Sequence, residues 1–153
     1  VLALAISPDG QLIASSSFYD PITVWDLVNA QKRHGLMGHS ARIDALAFSP
    51  DGSLLASGSG DLTIKLWNVD SGNEVRTLEG HAHQISAIAF SPDGNALASA
   101  SWDGTVKLWN LKSRRHRTFE LESGRVNGLA FSQDGKKLAI ASNTLQLWTI
   151  SSG

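Results

Sequence analysis

The sequence predicts an all-β protein built from four copies of one antiparallel unit, and three observations carry that expectation. The stretch from Gly38, GHSARIDALAFSPDGSLLASGSGDLTIKLWN, returns from Gly80 as GHAHQISAIAFSPDGNALASASWDGTVKLWN, with twenty identities in thirty-one positions. A turn tetrapeptide, Ser-Pro-Asp-Gly in three copies and Ser-Gln-Asp-Gly in the last, begins at Ser7, Ser49, Ser91 and Ser132, at intervals of 42, 42 and 41. The apolar runs within a copy are five to seven residues long and rich in β-branched and aromatic residues, and no stretch has a convincing helical period.

Each element of the unit follows from local chemistry. The first strand is IDALAFS in the second copy and VLALAIS in the first. Ser-Pro-Asp-Gly then turns the chain: proline presets φ, aspartate accepts from nearby backbone amides, and glycine takes the left-handed conformation that closes a hairpin. In the last copy Gln133 replaces proline while Asp134 and Gly135 remain, so the turn is expected to persist with less preorganisation. The second strand, SLLAS, passes through a turn at Asp61, or at Asp103-Gly104 in the next copy, into the third, TIKLWN. A fourth strand follows at QKRHGLM, EVRTLE and RHRTFEL. Four antiparallel strands per forty residues is the unit of a β-propeller blade. The blades are expected at about 1–37, 38–79, 80–121 and 122–153, the last without its outer strand.

Bulk properties narrow the function classes. At 153 residues and 42% apolar composition the chain can bury one domain's core. Thirteen basic residues against fourteen acidic ones give no overall attraction to nucleic acid or to an anionic membrane. The absence of cysteine removes disulfide and thiolate chemistry and fits a reducing, cytoplasmic compartment. The opening VLALAI is too short for a membrane span and has no signal-peptide flanks.

With Gly-His at Gly38-His39 and Gly80-His81, Trp-Asp at Trp25-Asp26, and relaxed forms at Trp67-Asn68, Trp109-Asn110 and Trp148-Thr149, the chain resembles the WD-repeat β-propellers over essentially its whole length. The resemblance implies a hydrogen-bonded tetrad of histidine, serine, aspartate and tryptophan in each complete blade. By position these are His39, Ser57, Asp61 and Trp67, then His81, Ser99, Asp103 and Trp109. Histidine, serine and aspartate are also the members of a hydrolytic triad. A triad is needed once, however, whereas these residues recur with the repeat, and a buried tryptophan requires an acceptor for its indole N–H. The outer blades depart from the pattern, with Tyr19 at the aspartate position of the first and Glu122 at the histidine position of the last.

The resemblance also implies a partner-binding face, formed by the turn after the second strand and the start of the innermost strand. Here that face carries Phe18, Trp102, Arg42, Gln84 and Arg125 and, two residues further on, Asp44, Ser86 and Asn127. An exposed aromatic beside arginines has the composition of a binding hot spot; the alternative role for Trp102 is to pack over an adjacent loop. His81-Ala82-His83 could present two metal ligands from a strand, but no third recurs nearby, so neither metal nor cofactor is expected. The run LKSRRHR reads first as a solvated outer edge that discourages strand pairing, and second as a site for an acidic or phosphate-rich partner.

The expected function is non-catalytic binding of a protein or peptide. The alternatives are a regulatory or sensor segment of a larger multidomain protein and a half-propeller that forms an eight-bladed homodimer; an enzyme and a nucleic-acid binder rank below these. Val1 aligns with Ile43, and Gly153 stands where an outer strand would begin. Four blades are thus expected to form an arc whose end faces are covered by further blades of the parent chain or by a second copy.

Overall fold

A computed structural model describes residues 1–18, 21–121 and 125–150. Fifteen strands follow one another, with no helix among the described residues. They are β1 (Ala3–Ile6), β2 (Leu12–Ser16), β3 (Ile22–Asp26), β4 (Gln31–Leu36), β5 (Ile43–Phe48), β6 (Leu54–Ser59), β7 (Ile64–Asn68) and β8 (Glu74–Leu78), then β9 (Ile85–Phe90), β10 (Ala96–Ser101), β11 (Thr105–Asn110), β12 (His116–Glu120), β13 (Gly128–Phe131), β14 (Lys137–Ala141) and β15 (Leu145–Thr149). They form four antiparallel meanders, β1–β4, β5–β8, β9–β12 and the three-stranded β13–β15, as an all-β partial propeller whose sheets do not close into a ring.

The tight turn works as its residue types dictate. Gly52 N donates to Ser49 O at 2.9 Å, and the glycine sits at φ 74°, where a side chain would be strained. Asp51 Oδ1 accepts from Ser49 Oγ at 2.6 Å and from Ser53 N at 3.1 Å. The last copy forms the same turn without proline: Gly135 N donates to Ser132 O at 2.9 Å, and Ser132 Oγ donates to Asp134 at 2.6 Å. The second strand of the second copy runs two residues beyond the expected SLLAS. Ser59 pairs with Ile43, and its hydroxyl donates to the Arg42 carbonyl at 2.8 Å, which ties the strand end to the innermost strand.

Because strand side chains alternate between faces, each sheet sends one set of residues to the sheet before it and another to the sheet after. Leu55, Trp67 and Val69 pack on Leu12, Ala14, Ile22, Val24 and Leu36 of the first sheet. Ala56, Ile64, Leu66 and Leu78 pack on Ile85, Leu97 and Trp109 of the third. Ala98, Ala100 and Val106 meet Val126, Leu138 and Ile140 of the fourth. The core is therefore three separate interlayers. At the middle one, Gly58 lets β6 approach so closely that an added Cβ would lie 2.5 Å from Ile85 Cγ2.

The two outermost faces carry the same residue types without a neighbour. Trp25 is 41% exposed where its counterpart Trp67 is 2%, and Leu145 and Leu147 are 72% and 66% exposed where Ile64 and Leu66 are 0% and 2%.

Candidate functional site

Two constellations carry the polar chemistry of the chain. The first runs through the second and third sheets. Trp67 Nε1–H donates to Ser57 Oγ at 2.8 Å, Ser57 Oγ lies 2.8 Å from His39 Nε2, and His39 Nδ1 lies 2.8 Å from Asp61 Oδ2. The third sheet repeats the chain through Trp109, Ser99, His81 and Asp103 at 2.8, 2.8 and 2.9 Å. An ionised carboxylate only accepts, so the proton of a neutral imidazole belongs on Nδ1, and Nε2 accepts the serine hydroxyl. All the donors then point toward the aspartate.

Thr63 and Thr105 extend the tetrads. Thr63 Oγ1 donates to Asp61 Oδ1 at 2.7 Å, its backbone N–H to the same oxygen at 3.0 Å, and Ser40 N to Oδ2 at 3.0 Å. The signal for these threonines lay in the sequence, two residues after each turn aspartate. Among the described residues no buried side-chain polar atom lacks a partner.

The electrostatics favour a neutral histidine on a charged aspartate. Burial pushes the His39 and His81 pKa values down, against the upward pull of Asp61 and Asp103. Burial also raises the Asp103 carboxyl, but hydrogen bonds from Thr105, Ala82 N and His81 outweigh it and hold it at about 2; Asp61 is lowered in the same way. As a nucleophile Ser57 is badly placed. It is fully buried, and its oxygen already accepts the indole proton.

The outer sheets lack the complete clasp. Trp25 Nε1 lies 3.4 Å from Ser15 Oγ. In the fourth sheet Ile140, two residues after Leu138 as Ser57 is two after Leu55, takes the place of the serine, and Trp148 donates instead to Gln146 Oε1 at 3.2 Å. Tyr19 and Glu122 lie outside the described residues.

The second constellation sits at the β6–β7 and β10–β11 turn end of the sheets. The Arg125 guanidinium lies 3.6 Å from the centre of the Trp102 indole, and Arg42 lies 5.7 Å from that ring and 6.0 Å from the ring of Phe18, which is 51% exposed. Contacts of this length bring cation–π attraction. Asp44 Oδ2 accepts from Arg42 Nε at 3.0 Å and holds the guanidinium in place. His83 packs beside Trp102 at 5.9 Å, while His81 turns inward to Asp103, so the two histidines do not converge on one point. Among the described residues no group of three or more histidine, aspartate or glutamate side chains could hold a metal ion. The Trp102 backbone N–H donates to the Gln84 backbone carbonyl at 3.0 Å, Ser86 Oγ donates to the Ala100 carbonyl at 3.3 Å, and Asn127 N donates to the Ala141 carbonyl at 2.7 Å. The backbones of Gln84 and Asn127 and the Ser86 hydroxyl thus build the sheet edges, whereas Phe18, Arg42, Trp102 and Arg125 are brought together as a cluster.

The family model described as IFT122 first beta-propeller matches residues 1–153. No curated protein matches the chain.

Proposed function

The chain belongs to the IFT122 first beta-propeller family, a WD-repeat propeller family, and from that premise we propose that it is a non-catalytic recognition module that holds a protein or peptide partner on the Phe18, Arg42, Trp102 and Arg125 rim. Folds of this kind host many activities, so the proposal rests on one observation. Trp102 carries a guanidinium 3.6 Å above its ring and a second one 5.7 Å away, beside an exposed phenylalanine. Stacked arginines are held with their donors ready for carboxylate or carbonyl oxygens, so little side-chain entropy remains to be lost on binding. The cysteine-free composition supports a reducing, cytoplasmic setting. No helix among the described residues is long and apolar enough to cross a membrane.

The test is a quantitative pull-down with the intact chain and with Trp102→Ala. Loss of a hot-spot aromatic costs about 2 kcal/mol or more of binding, so partners held by this rim should drop out of the captured set. An identical set from both proteins would place the binding surface elsewhere.

A second reading concerns the two open end faces. Leu145 and Leu147 match Ile64 and Leu66, and Trp25 matches Trp67, in residue type and register but not in burial. Further blades therefore fit them best, either blades of a longer protein or a second copy joined head to tail as an eight-bladed ring. For this chain alone, light scattering at micromolar concentration should record a discrete dimer that is lost on Trp25→Asp substitution. A well-folded monomer would contradict the paired ring.

A further inference from the structure

The near-zero net charge conceals a division along the chain. Residues 104–153 hold eight lysines and arginines against three acidic residues, while residues 1–103 hold five against eleven. Three of these eight, Arg115, Arg117 and Lys136, line a groove of about 1100 Å³ between the third and fourth sheets, at the Ser-Pro-Asp-Gly end and thus at the opposite strand ends from the Trp102 rim. Its floor is apolar, formed by Leu108, Phe131 and Ile150, and Arg115, Arg117 and Lys136 stand along its walls. Asp93 and Asp134 also line it, but each carboxylate is committed to its own turn, to Ser91 and Asn95 in one case and to Ser132 and Lys136 N in the other.

The two preceding interlayers are each bridged by an arginine of the outer strand. Arg33 Nη2 pairs with Asp70 at 2.9 Å across the first, and Arg76 Nη1 donates to the Leu111 carbonyl at 3.0 Å across the second. Arg117 stands opposite Leu108 as Arg76 stands opposite Leu66. Its guanidinium lies over the Phe119 ring at 5.4 Å, and among the described residues it makes no hydrogen bond to the fourth sheet. Lys65 is neutralised by Glu74 at the start of β8, at 2.8 Å; the counterpart of Glu74 at the start of β12 is His116, preceded by Arg114 and Arg115, so no carboxylate stands there. Arg114, Arg115, Arg117 and Lys136 make no ion pair among the described residues.

We propose that this groove is a second docking site, which takes an extended acidic peptide from a partner protein. An extended chain presents alternate side chains to opposite sides, so apolar residues fit the floor while carboxylates between them reach the guanidiniums on the walls. Nucleic acid fits less well, because the half-buried Phe131 offers no open face for base stacking.

The measurement is fluorescence anisotropy with a labelled synthetic peptide that alternates glutamate and leucine. A lysine–leucine peptide of the same length and a single-stranded oligonucleotide serve as comparison probes. The glutamate–leucine peptide should bind the intact chain, bind less well as salt rises, and lose on the order of tenfold or more in affinity with Arg115→Glu/Arg117→Glu. Lys136→Glu, on the opposite wall, should weaken it independently, and Lys32→Glu in the outer strand of the first sheet should leave it unchanged. Unfolding curves confirm that each variant is folded. No binding of the glutamate–leucine peptide, equal binding of the lysine–leucine peptide, tighter binding of the oligonucleotide, or an equal loss with Lys32→Glu would each overturn the proposal.

Discussion

Replacing Trp67 by alanine lowers stability by about 3–5 kcal/mol, the range for removing a fully buried large aromatic. Trp67 is 2% exposed, fills the interlayer between the first and second sheets, and supplies the proton that the Ser57 oxygen accepts. Truncation leaves a cavity and takes one bond from a buried hydroxyl, two penalties of the same sign. Trp148→Ala is the internal reference. That indole is only half-buried and bonds to Gln146 rather than to a buried serine, so its loss costs less. Chemical denaturation of both variants measures the difference. Equal losses would mean that the clasp adds nothing to the packing of the ring.

Asp61→Ala is expected to cost about 1–3 kcal/mol, the penalty of leaving a buried donor without its acceptor. The orphaned group is His39 Nδ1–H, with a side chain 2% exposed, and Ser40 N and Thr63 lose the same acceptor. The intact protein should also be acid-labile, for two reasons of one sign. With His39 and His81 lowered in the folded state, the unfolded chain takes up protons first as pH falls below about 6.5, and stability declines from there. With Asp61 lowered and Asp103 at about 2, the carboxylates contribute stability above roughly pH 4 that is lost as pH falls toward 2. The Asp61→Ala penalty should therefore be largest at neutral pH and shrink in acid. A penalty independent of pH would contradict the charged-aspartate assignment.

The repeat made the architecture legible. Ser-Pro-Asp-Gly marked four hairpins because each of its residues has one backbone task, and the short β-rich runs between the turns left no room for helices. Strand ends were less legible: nothing local in SLLAS shows that Ser59 will be held by the Arg42 carbonyl, a tie between residues far apart in sequence. The site divides in the same way. The recurrence of histidine, serine, aspartate and tryptophan at one spacing picked out the residues that the structure links in chains of 2.8–2.9 Å bonds. Thr63 and Thr105 were visible by spacing and passed over, because threonine is common in strands and its hydroxyl announces no partner. Ile140 at the serine position of the last sheet was equally open to view. The closeness of Arg125 to Trp102 was not, since it depends on how two neighbouring sheets stack. The open groove below Arg117 was hidden for the same reason, although its charge was plain in LKSRRHR.

The account holds that His39 couples Ser57 to Asp61 in one structural clasp. A double-mutant cycle of Ser57→Ala and Asp61→Ala, with stability measured by denaturation above pH 7, tests this most directly. A continuous clasp predicts a coupling of about 1 kcal/mol or more between two residues joined only through the histidine, because the second substitution removes a chain already broken by the first. Penalties that add to within about 0.3 kcal/mol would show that the serine and the aspartate act independently and would contradict it.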